Sequence, residues 1–159
     1  MMIAFYRSTR PGLAGLFNRA VRWWTNGPYS HCELVLGQTK GGKYLCASAS
    51  NLDGGVRFTT IDLDPARWDL MPIDPSLNRK AVAWFASHLG QAYDIAGLFG
   101  FVLRRGDGSR QRWFCSEACA AALGLADPWR FDPNTLSVIV KRLSGYRPEV
   151  PVGITPASA

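Results

Sequence analysis

The hydrophobic pattern of the chain changes from strand-like to helix-like near its middle, and this change constrains the fold most. Up to residue 73, short runs that alternate in side-chain character recur between turns rich in glycine, proline and asparagine, as antiparallel strands do. From Ser76 onward, apolar residues recur at helical spacing. A mostly antiparallel sheet combined with helices predicts an α+β fold.

The first half of the chain contains one predicted helix among its strands. Apolar residues at helical spacing between Pro11 and Trp24 predict an amphipathic helix, which the turn residues 26–28 end. The turn at 39–42 makes a hairpin the simplest connection between the second and third strands. The predicted strands are Met2 to Tyr6, Ser30 to Leu36, Lys43 to Ser50, Val56 to Leu63 and Trp68 to Ile73.

The second half is predicted to be helical. Its three predicted helices are Ser76 to Leu89, Cys115 to Leu125 and Thr135 to Leu143. Between them, Ile95 to Leu103 forms a short helix or a tight apolar loop, and the polar 104–112 stretch forms an exposed connection. No repeat or linker divides the chain, so we expect one domain over residues 1–147 and a flexible Pro-rich tail over 148–159.

Composition and charge exclude several classes of protein. With 159 residues, of which 47% are hydrophobic, the chain can bury a real core. Its longest apolar run, Ile95 to Leu103, is about half of the ~20 residues that a membrane-spanning helix needs. The net charge of +6 comes mostly from arginines, but no nucleic-acid motif accompanies them, so no nucleic-acid partner is expected. The N-terminus lacks the pattern of a secretory signal, which favours a cytoplasmic location.

The cysteines are too few and too dispersed for a disulfide scaffold in a cytoplasmic chain, so free thiols are expected. The four cysteines are separated by 14, 69 and 4 positions, and these spacings do not form the close pairs of a structural zinc site. No glycine-rich segment has the ending of a phosphate-binding loop. We therefore expect neither a metal nor a cofactor.

Cys115 is the most informative position for chemistry. It lies at the junction between an aromatic extended segment, Trp113-Phe114, and a helix. A thiol at a helix N-terminus meets the positive end of the macrodipole, which stabilises a nucleophilic thiolate. The unpaired amides there can also form an oxyanion hole. Cys119, one turn later on an alanine-rich face, is expected to be a buried packing residue.

A cysteine nucleophile needs a base, and the chain has two histidines. We favour His31, at the start of a strand, over His88, near the end of a helix. Two residues are candidates for orienting the imidazole. Glu33 shares the strand face of His31, whereas Ser48 shares that face only if the pairing register allows it. A serine would orient the ring by hydrogen bonding alone, and a carboxylate would also stabilise imidazolium.

Several short segments together carry a family resemblance. They resemble the circularly permuted branch of the NlpC-type papain-like superfamily, in which the strand histidine precedes the cysteine helix, as His31 precedes Cys115 here. The segments are Tyr29 to Val35, Ala47 to Ser50, Gly54 to Arg57, Ala92 to Asp94, and Phe114 to Glu117. They lie within residues 28–125. The resemblance implies a permuted papain-like fold, with an antiparallel sheet packed against a helix that bears the cysteine at its N-terminus.

The resemblance also implies roles for individual residues. Cys115 would be the nucleophile, His31 the general base, and Ser48 would occupy the third polar position. Many relatives have a glutamate or a second histidine there, so Ser48 departs from the pattern. Tyr93 would match a tyrosine that lines the family's active site. The residues assigned to substrate contact are Tyr93, Glu33 and Tyr29.

Three functions follow as hypotheses. The first is a cysteine peptidase or amidase, with peptidoglycan stem peptide as the substrate class. The second is a lipid or acyl-ester acyltransferase, in which Ile95 to Leu103 with Arg104-Arg105 would contact an anionic surface. The third is a non-catalytic structural protein of a phage, which a buried Cys115 would favour. The resemblance extends to phage and prophage proteins, so virion association or release at lysis is a further expectation. Five tryptophans are expected to fill the core, namely Trp23, Trp24, Trp84, Trp113 and Trp129.

Overall fold

The computed structural model describes residues 1–94 and 112–144. Its helices are α1 (Gly12–Trp24), α2 (Asn78–Ser87), α3 (Cys115–Leu123) and α4 (Pro133–Leu143). Its strands are β1 (Met2–Tyr6), β2 (His31–Gln38), β3 (Tyr44–Ser50), β4 (Gly55–Ile61), β5 (Trp68–Pro72), β6 (Ala92–Tyr93) and β7 (Arg112–Trp113). The described chain is therefore α+β, as the change of hydrophobic period predicts.

Within the described residues, the seven strands form one mixed sheet in the order β5-β1-β2-β3-β4-β6-β7. All neighbours pair antiparallel except β6 and β7, which are parallel. The predicted hairpin between the second and third strands is confirmed, with Leu34 opposite Ala47. The register of β2 and β3 shifts between Val35 and Gly37, where the ladder is irregular.

Helix α3 packs against the centre of the sheet, and this contact positions the candidate site. Its buried side chains are small except Leu123, and Ala118, Cys119 and Ala122 let the helix axis approach β2 and β3 closely. Cys32 and Leu34 of β2 belong to the same buried cluster. The prediction that Cys119 is a buried packing residue is confirmed, since its side chain is fully buried.

The described elements agree with the predicted ones to within a few residues, with two differences. Helix α4 begins at Pro133 because the Asp132 side chain accepts hydrogen bonds from the amides of Asn134 and Thr135. Strands β6 and β7 were not predicted, because two-residue strands are too short to show a period. The predicted segment Ile95 to Leu103, most of the 104–112 connection and the 148–159 tail lie outside the described residues.

The prediction that five tryptophans fill the core is wrong for two of them. Trp23 is 79% exposed and Trp24 is 46% exposed, because α1 turns its apolar residues outward. Trp84 and Trp113 are half-buried and pack edge to face, with ring centroids 4.7 Å apart. Within residues 1–94 and 112–144, no helix is both long enough and apolar enough to cross a membrane.

Candidate active site

Cys115 is the first residue of α3, as predicted from its sequence context. Phe114 before it is extended, and its carbonyl accepts the first bond of the helix, 2.9 Å from the amide nitrogen of Ala118. The Glu117 side chain accepts a hydrogen bond from the Phe114 amide at 3.3 Å. Cys115 therefore lies at the end of α3 where the first amides have no partner within the helix, and its side chain is fully buried.

His31 and Cys115 are hydrogen-bonded to each other, although 84 positions separate them in the chain. Burial disfavours the charged imidazole, but the charges of Cys115 and Glu33 and the hydrogen bonds with both groups together outweigh burial and raise the pKa of His31 to about 10. Burial also disfavours the thiolate, but a hydrogen bond from Cys32 and the charge of His31 lower the pKa of Cys115 to about 5. Near neutral pH the two side chains form a thiolate–imidazolium pair.

Glu33 lies on the other side of the imidazole. Its Oε1 accepts a hydrogen bond from Nε2 of His31 at 2.7 Å, which leaves Nδ1 for Cys115. Arg57 donates to both carboxylate oxygens of Glu33, at 2.6 and 2.7 Å, and to Asp53 at 2.8 Å. Burial would raise the pKa of Glu33, but the bonds from His31 and Arg57 keep it below its usual range. The carboxylate therefore stays ionised although it is 1% exposed.

Ser48 does not contact the imidazole ring through its hydroxyl. That hydroxyl donates to the backbone carbonyl of Cys32 at 2.7 Å. The pairing of β2 with β3 explains why Ser48 does not reach the ring. Leu34 lies opposite Ala47. When this pairing is continued toward the start of β2, Ser48 lies opposite Glu33, and Ser50 lies opposite His31. The sequence left two candidates for orienting the imidazole. The structure brings Glu33 into contact with the His31 ring, whereas Ser48 lies opposite Glu33 and does not contact the ring.

Ser48 lies between Glu33 and Arg57 on the sheet. On the next strand it pairs with Arg57, so Glu33, Ser48 and Arg57 form a row across β2, β3 and β4. The small serine side chain in the middle leaves room for the guanidinium to reach Glu33. The register thus explains why a buried carboxylate in one strand can pair with an arginine two strands away.

A second thiol contacts Cys115 directly. The Cys32 side chain is hydrogen-bonded to both Cys115 and Cys119, and all three are fully buried. Burial, with the nearby thiols, raises the pKa of Cys32 well above its usual range. The Cys32 thiol therefore stays protonated and donates to the Cys115 thiolate.

Tyr93 and Tyr29 have different surroundings. Tyr93 packs on Phe114, with centroids 5.7 Å apart, and together with His31 it lines a cavity of about 300 Å³. Tyr29 is buried, and its hydroxyl donates to Asp69 at 2.8 Å, away from this cavity's lining. Burial and the bond to Asp69 raise the pKa of Tyr29. The structure therefore brings Tyr93, but not the Tyr29 hydroxyl, to the cavity.

His88 is held elsewhere. Its ring stacks on Trp84 with centroids 4.0 Å apart, and Nδ1 lies 2.8 Å from the Trp84 carbonyl oxygen. The preference for His31 as the partner of Cys115 thus agrees with the geometry. Among residues 1–94 and 112–144, no group of three or more His, Cys, Asp or Glu side chains is arranged to hold a metal ion.

Two residues of the site carried no assigned role in the sequence analysis. Arg57 enters the sequence pattern only as the end of the Gly54 to Arg57 segment, and Cys32 only as a free thiol. Cys32 had a usable signal, because it shares a strand face with the apolar Leu34, and this is the face against which α3 packs. Arg57 had no such signal, since its pairing depends on a register that the sequence pattern leaves open.

The comparisons with known proteins leave the site to be interpreted from its own chemistry. The chain matches no protein-family model, and no match to it is found among curated proteins.

Proposed function

We propose that this protein is a cysteine hydrolase of the permuted NlpC-type papain-like class that cleaves an amide bond. The observation that carries the proposal is the hydrogen-bonded chain Cys115–His31–Glu33, with the imidazole 2.7 Å from the carboxylate. Such a chain couples a nucleophile, a base and an orienting group. The histidine preceding the cysteine in sequence supports the permuted order.

The proposed reaction proceeds through an acyl-enzyme. The Cys115 thiolate attacks the amide carbonyl carbon, and the amides of the first turn of α3 stabilise the developing oxyanion. Imidazolium His31 gives its Nδ1 proton to the leaving amine as the carbon–nitrogen bond breaks. Neutral His31 then takes a proton from water, whose oxygen attacks the thioester and releases the acid and the thiolate. Glu33 holds the ring throughout.

The cavity beside His31 supports a peptide-like substrate. Its lining combines the apolar residues Leu13, Phe17 and Leu52 with Arg10, whose guanidinium lies over the Tyr6 ring, 5.5 Å from the ring centroid. An arginine at this place suits a substrate that carries a free carboxylate near the scissile bond, as the acidic residues of peptidoglycan stem peptides do. Tyr93 lines the same cavity and would also contact the substrate.

A second candidate function has one specific observation in its favour. Cys115 is fully buried, and the cavity lining includes His31 and Tyr93 but not Cys115. A non-catalytic structural protein that retains the fold would show this burial. For the acyltransferase alternative, the motivating segment Ile95 to Leu103 and Arg104-Arg105 lies outside the described residues.

Alkylation of the cysteines across pH separates the two candidates without a substrate. We expect iodoacetamide to modify Cys115 fastest, with an apparent thiolate pKa well below ~8.5, and we expect His31→Ala to remove this advantage. Mass spectrometry assigns the sites, and buried Cys46 is the internal reference. The hydrolase proposal fails if Cys115 reacts no faster than Cys46, or if its rate is independent of His31. Amide cleavage that persists in Cys115→Ala would also refute it.

A further inference from the structure

Helix α1 carries its large apolar side chains on the outside of the protein. Of the ten exposed large hydrophobic residues in the described chain, four lie in this helix, namely Leu13, Leu16, Trp23 and Trp24. Leu13 is 86% exposed and Leu16 is 65% exposed. At about 100° per residue, these four and Ala20 fall within an arc of about 100°. They form one continuous apolar stripe, which we call the α1 stripe.

The opposite face of α1 seats the helix on the protein through small and polar contacts. Its buried residues are Gly15, Asn18 and Val21. The Asn18 side chain donates to Ser30 Oγ at 3.0 Å and accepts from the Arg10 amide at 3.2 Å. A Cβ at Gly15 would overlap the Arg10 carbonyl oxygen. The helix is therefore fixed with its apolar side outward, whereas a surface helix normally turns its apolar side to the core.

The segment of chain that carries the α1 stripe has charges of one sign. The first 32 residues contain four arginines, Arg7, Arg10, Arg19 and Arg22, and no acidic residue. Arg7 pairs with Asp69 of β5, at 3.5 Å. Arg22 bonds backbone carbonyls of residues 7 and 8, at 2.8 and 2.7 Å, which do not neutralise its charge. Arg19 is exposed and lies beside Trp23 on the helix surface.

We propose that the α1 stripe docks this protein on the surface of an anionic lipid bilayer. Leucine and tryptophan on one face, with the exposed Arg19 at its edge, are the features of a helix that lies in the membrane interface. Tryptophan is favoured there, because its ring is apolar and its N–H remains accessible to water. A second copy of this chain fits less well, since a two-fold contact through α1 would bring the arginines of both copies together.

The stripe is continuous with the cavity of the candidate site. Leu13 belongs to the α1 stripe and also lines the cavity beside His31. Docking would therefore set the mouth of the cavity beside the lipid surface. The docking proposal does not depend on cysteine chemistry, because none of its residues belongs to the Cys115–His31–Glu33 chain.

Vesicle co-sedimentation of the full chain tests the proposal. The probes are vesicles of phosphatidylcholine alone and of phosphatidylcholine with about 30% phosphatidylglycerol. We expect binding to the anionic vesicles that weakens as salt rises, and a loss of about tenfold or more in Leu16→Ser/Trp23→Ser. The matched control is Val138→Ser/Leu143→Ser on α4, whose side chains are 66% and 69% exposed. Thermal unfolding checks that each variant is folded.

A second measurement locates the inserted side chains. Lipids brominated on their acyl chains should quench tryptophan fluorescence in the wild type, and Trp23→Phe/Trp24→Phe should lose most of this quenching while still sedimenting with the vesicles. Cys115→Ala should bind as the wild type does, so a failed hydrolase proposal leaves this test intact. The docking proposal is overturned if anionic vesicles bind no protein, or if the α4 control loses binding equally. It is also overturned if sedimentation velocity shows a dimer that only the α1 variant dissociates.

Discussion

Nε2 of His31 and Oε1 of Glu33 lie 2.7 Å apart, and the carboxylate is 1% exposed. An ionised carboxylate at this distance favours imidazolium, which in turn favours the thiolate of Cys115. We expect Glu33→Gln to raise the apparent pKa of the Cys115 thiol and to slow its alkylation at pH 6 by about tenfold. The measurement is the pH profile of iodoacetamide reaction at Cys115.

The matched control for this substitution is Ser48→Ala. Its hydroxyl bonds the Cys32 carbonyl and not the imidazole, so the alkylation profile of Cys115 should keep its midpoint. A midpoint that moves in Ser48→Ala but stays in Glu33→Gln would assign the orienting role to the serine. Because Glu33→Gln leaves Arg57 without a full counter-charge, we also expect it to reduce the free energy of unfolding by about 3 kcal/mol.

A substitution of Arg57 tests whether the geometry of its buried ion pair with Glu33 contributes to the free energy of unfolding, in addition to the charge of the guanidinium. The guanidinium donates through separate nitrogens to both oxygens of Glu33, and a third nitrogen reaches Asp53. A lysine keeps the charge but not this planar set of donors, so Arg57→Lys should cost about 1–3 kcal/mol in the free energy of unfolding. Urea denaturation measures the cost.

Arg67→Lys is the reference for that experiment. Its ion pair with Asp64 is 3.4 Å long and joins side chains that are 64% and 45% exposed. Exposed pairs contribute little, so we expect a change below about 0.5 kcal/mol. Equal costs for the two arginine substitutions would show that the pairing of Arg57 with Glu33 adds nothing to stability.

Asn134 at the start of α4 fixes the segment that leads into His31. Its Oδ1 accepts from the Tyr29 amide at 2.9 Å, and its Nδ2 donates to the Tyr29 carbonyl at 2.9 Å and to Thr25 Oγ1 at 2.6 Å. Asn134→Asp keeps the acceptor and removes both donor bonds. We expect the free energy of unfolding to fall by about 2 kcal/mol. Exposed Gln38→Glu is the control, and a similar loss there would contradict the assignment.

The features of this protein that can be predicted from its sequence are those that depend on residues close together in the chain. Strand alternation set His31 and Glu33 on one face, and the break between extended and helical periods located Cys115 at the start of α3. Order along the chain then suggested that these residues meet. None of these inferences depends on which strands pair with each other in the sheet.

What the sequence left open depends on register and on which helix face is buried. Glu33 and Ser48 were both allowed as partners of His31, and a shift of two residues in β3 would have set Ser48 opposite His31. The partnership of Glu33 with Arg57 spans three strands and has no local signature. The spacing of the apolar residues in α1 predicts an amphipathic helix, but it does not determine whether the apolar side faces the core or the solvent. In the structure this side faces solvent, and Trp23 is exposed.

The thiolate–imidazolium pair makes a specific prediction for stability against pH. In the folded chain the pKa of Cys115 is lowered to about 5 and that of His31 is raised to about 10, against ordinary values of 9.0 and 6.5. Between about pH 5 and 6.5 the unfolded chain therefore holds one more proton than the folded chain, so stability rises with pH by about 2 kcal/mol. Between about pH 6.5 and 9 both states hold one proton, and the contribution is constant.

Above about pH 9 the unfolded chain holds one proton fewer, and stability falls until His31 deprotonates near pH 10. Urea denaturation at half-unit steps measures the profile. Cys115→Ala should lose the rise between about pH 5 and 6.5, because the ionised Glu33 still keeps the imidazole protonated in the folded chain, so the folded and unfolded states both hold this one proton. Cys46→Ala should keep the rise, since burial raises the pKa of the Cys46 thiol to about 12 and this thiol stays neutral. Parallel profiles for wild type and Cys115→Ala over that interval would contradict this expectation, because the imidazole of the folded variant would then be neutral although Glu33 is ionised.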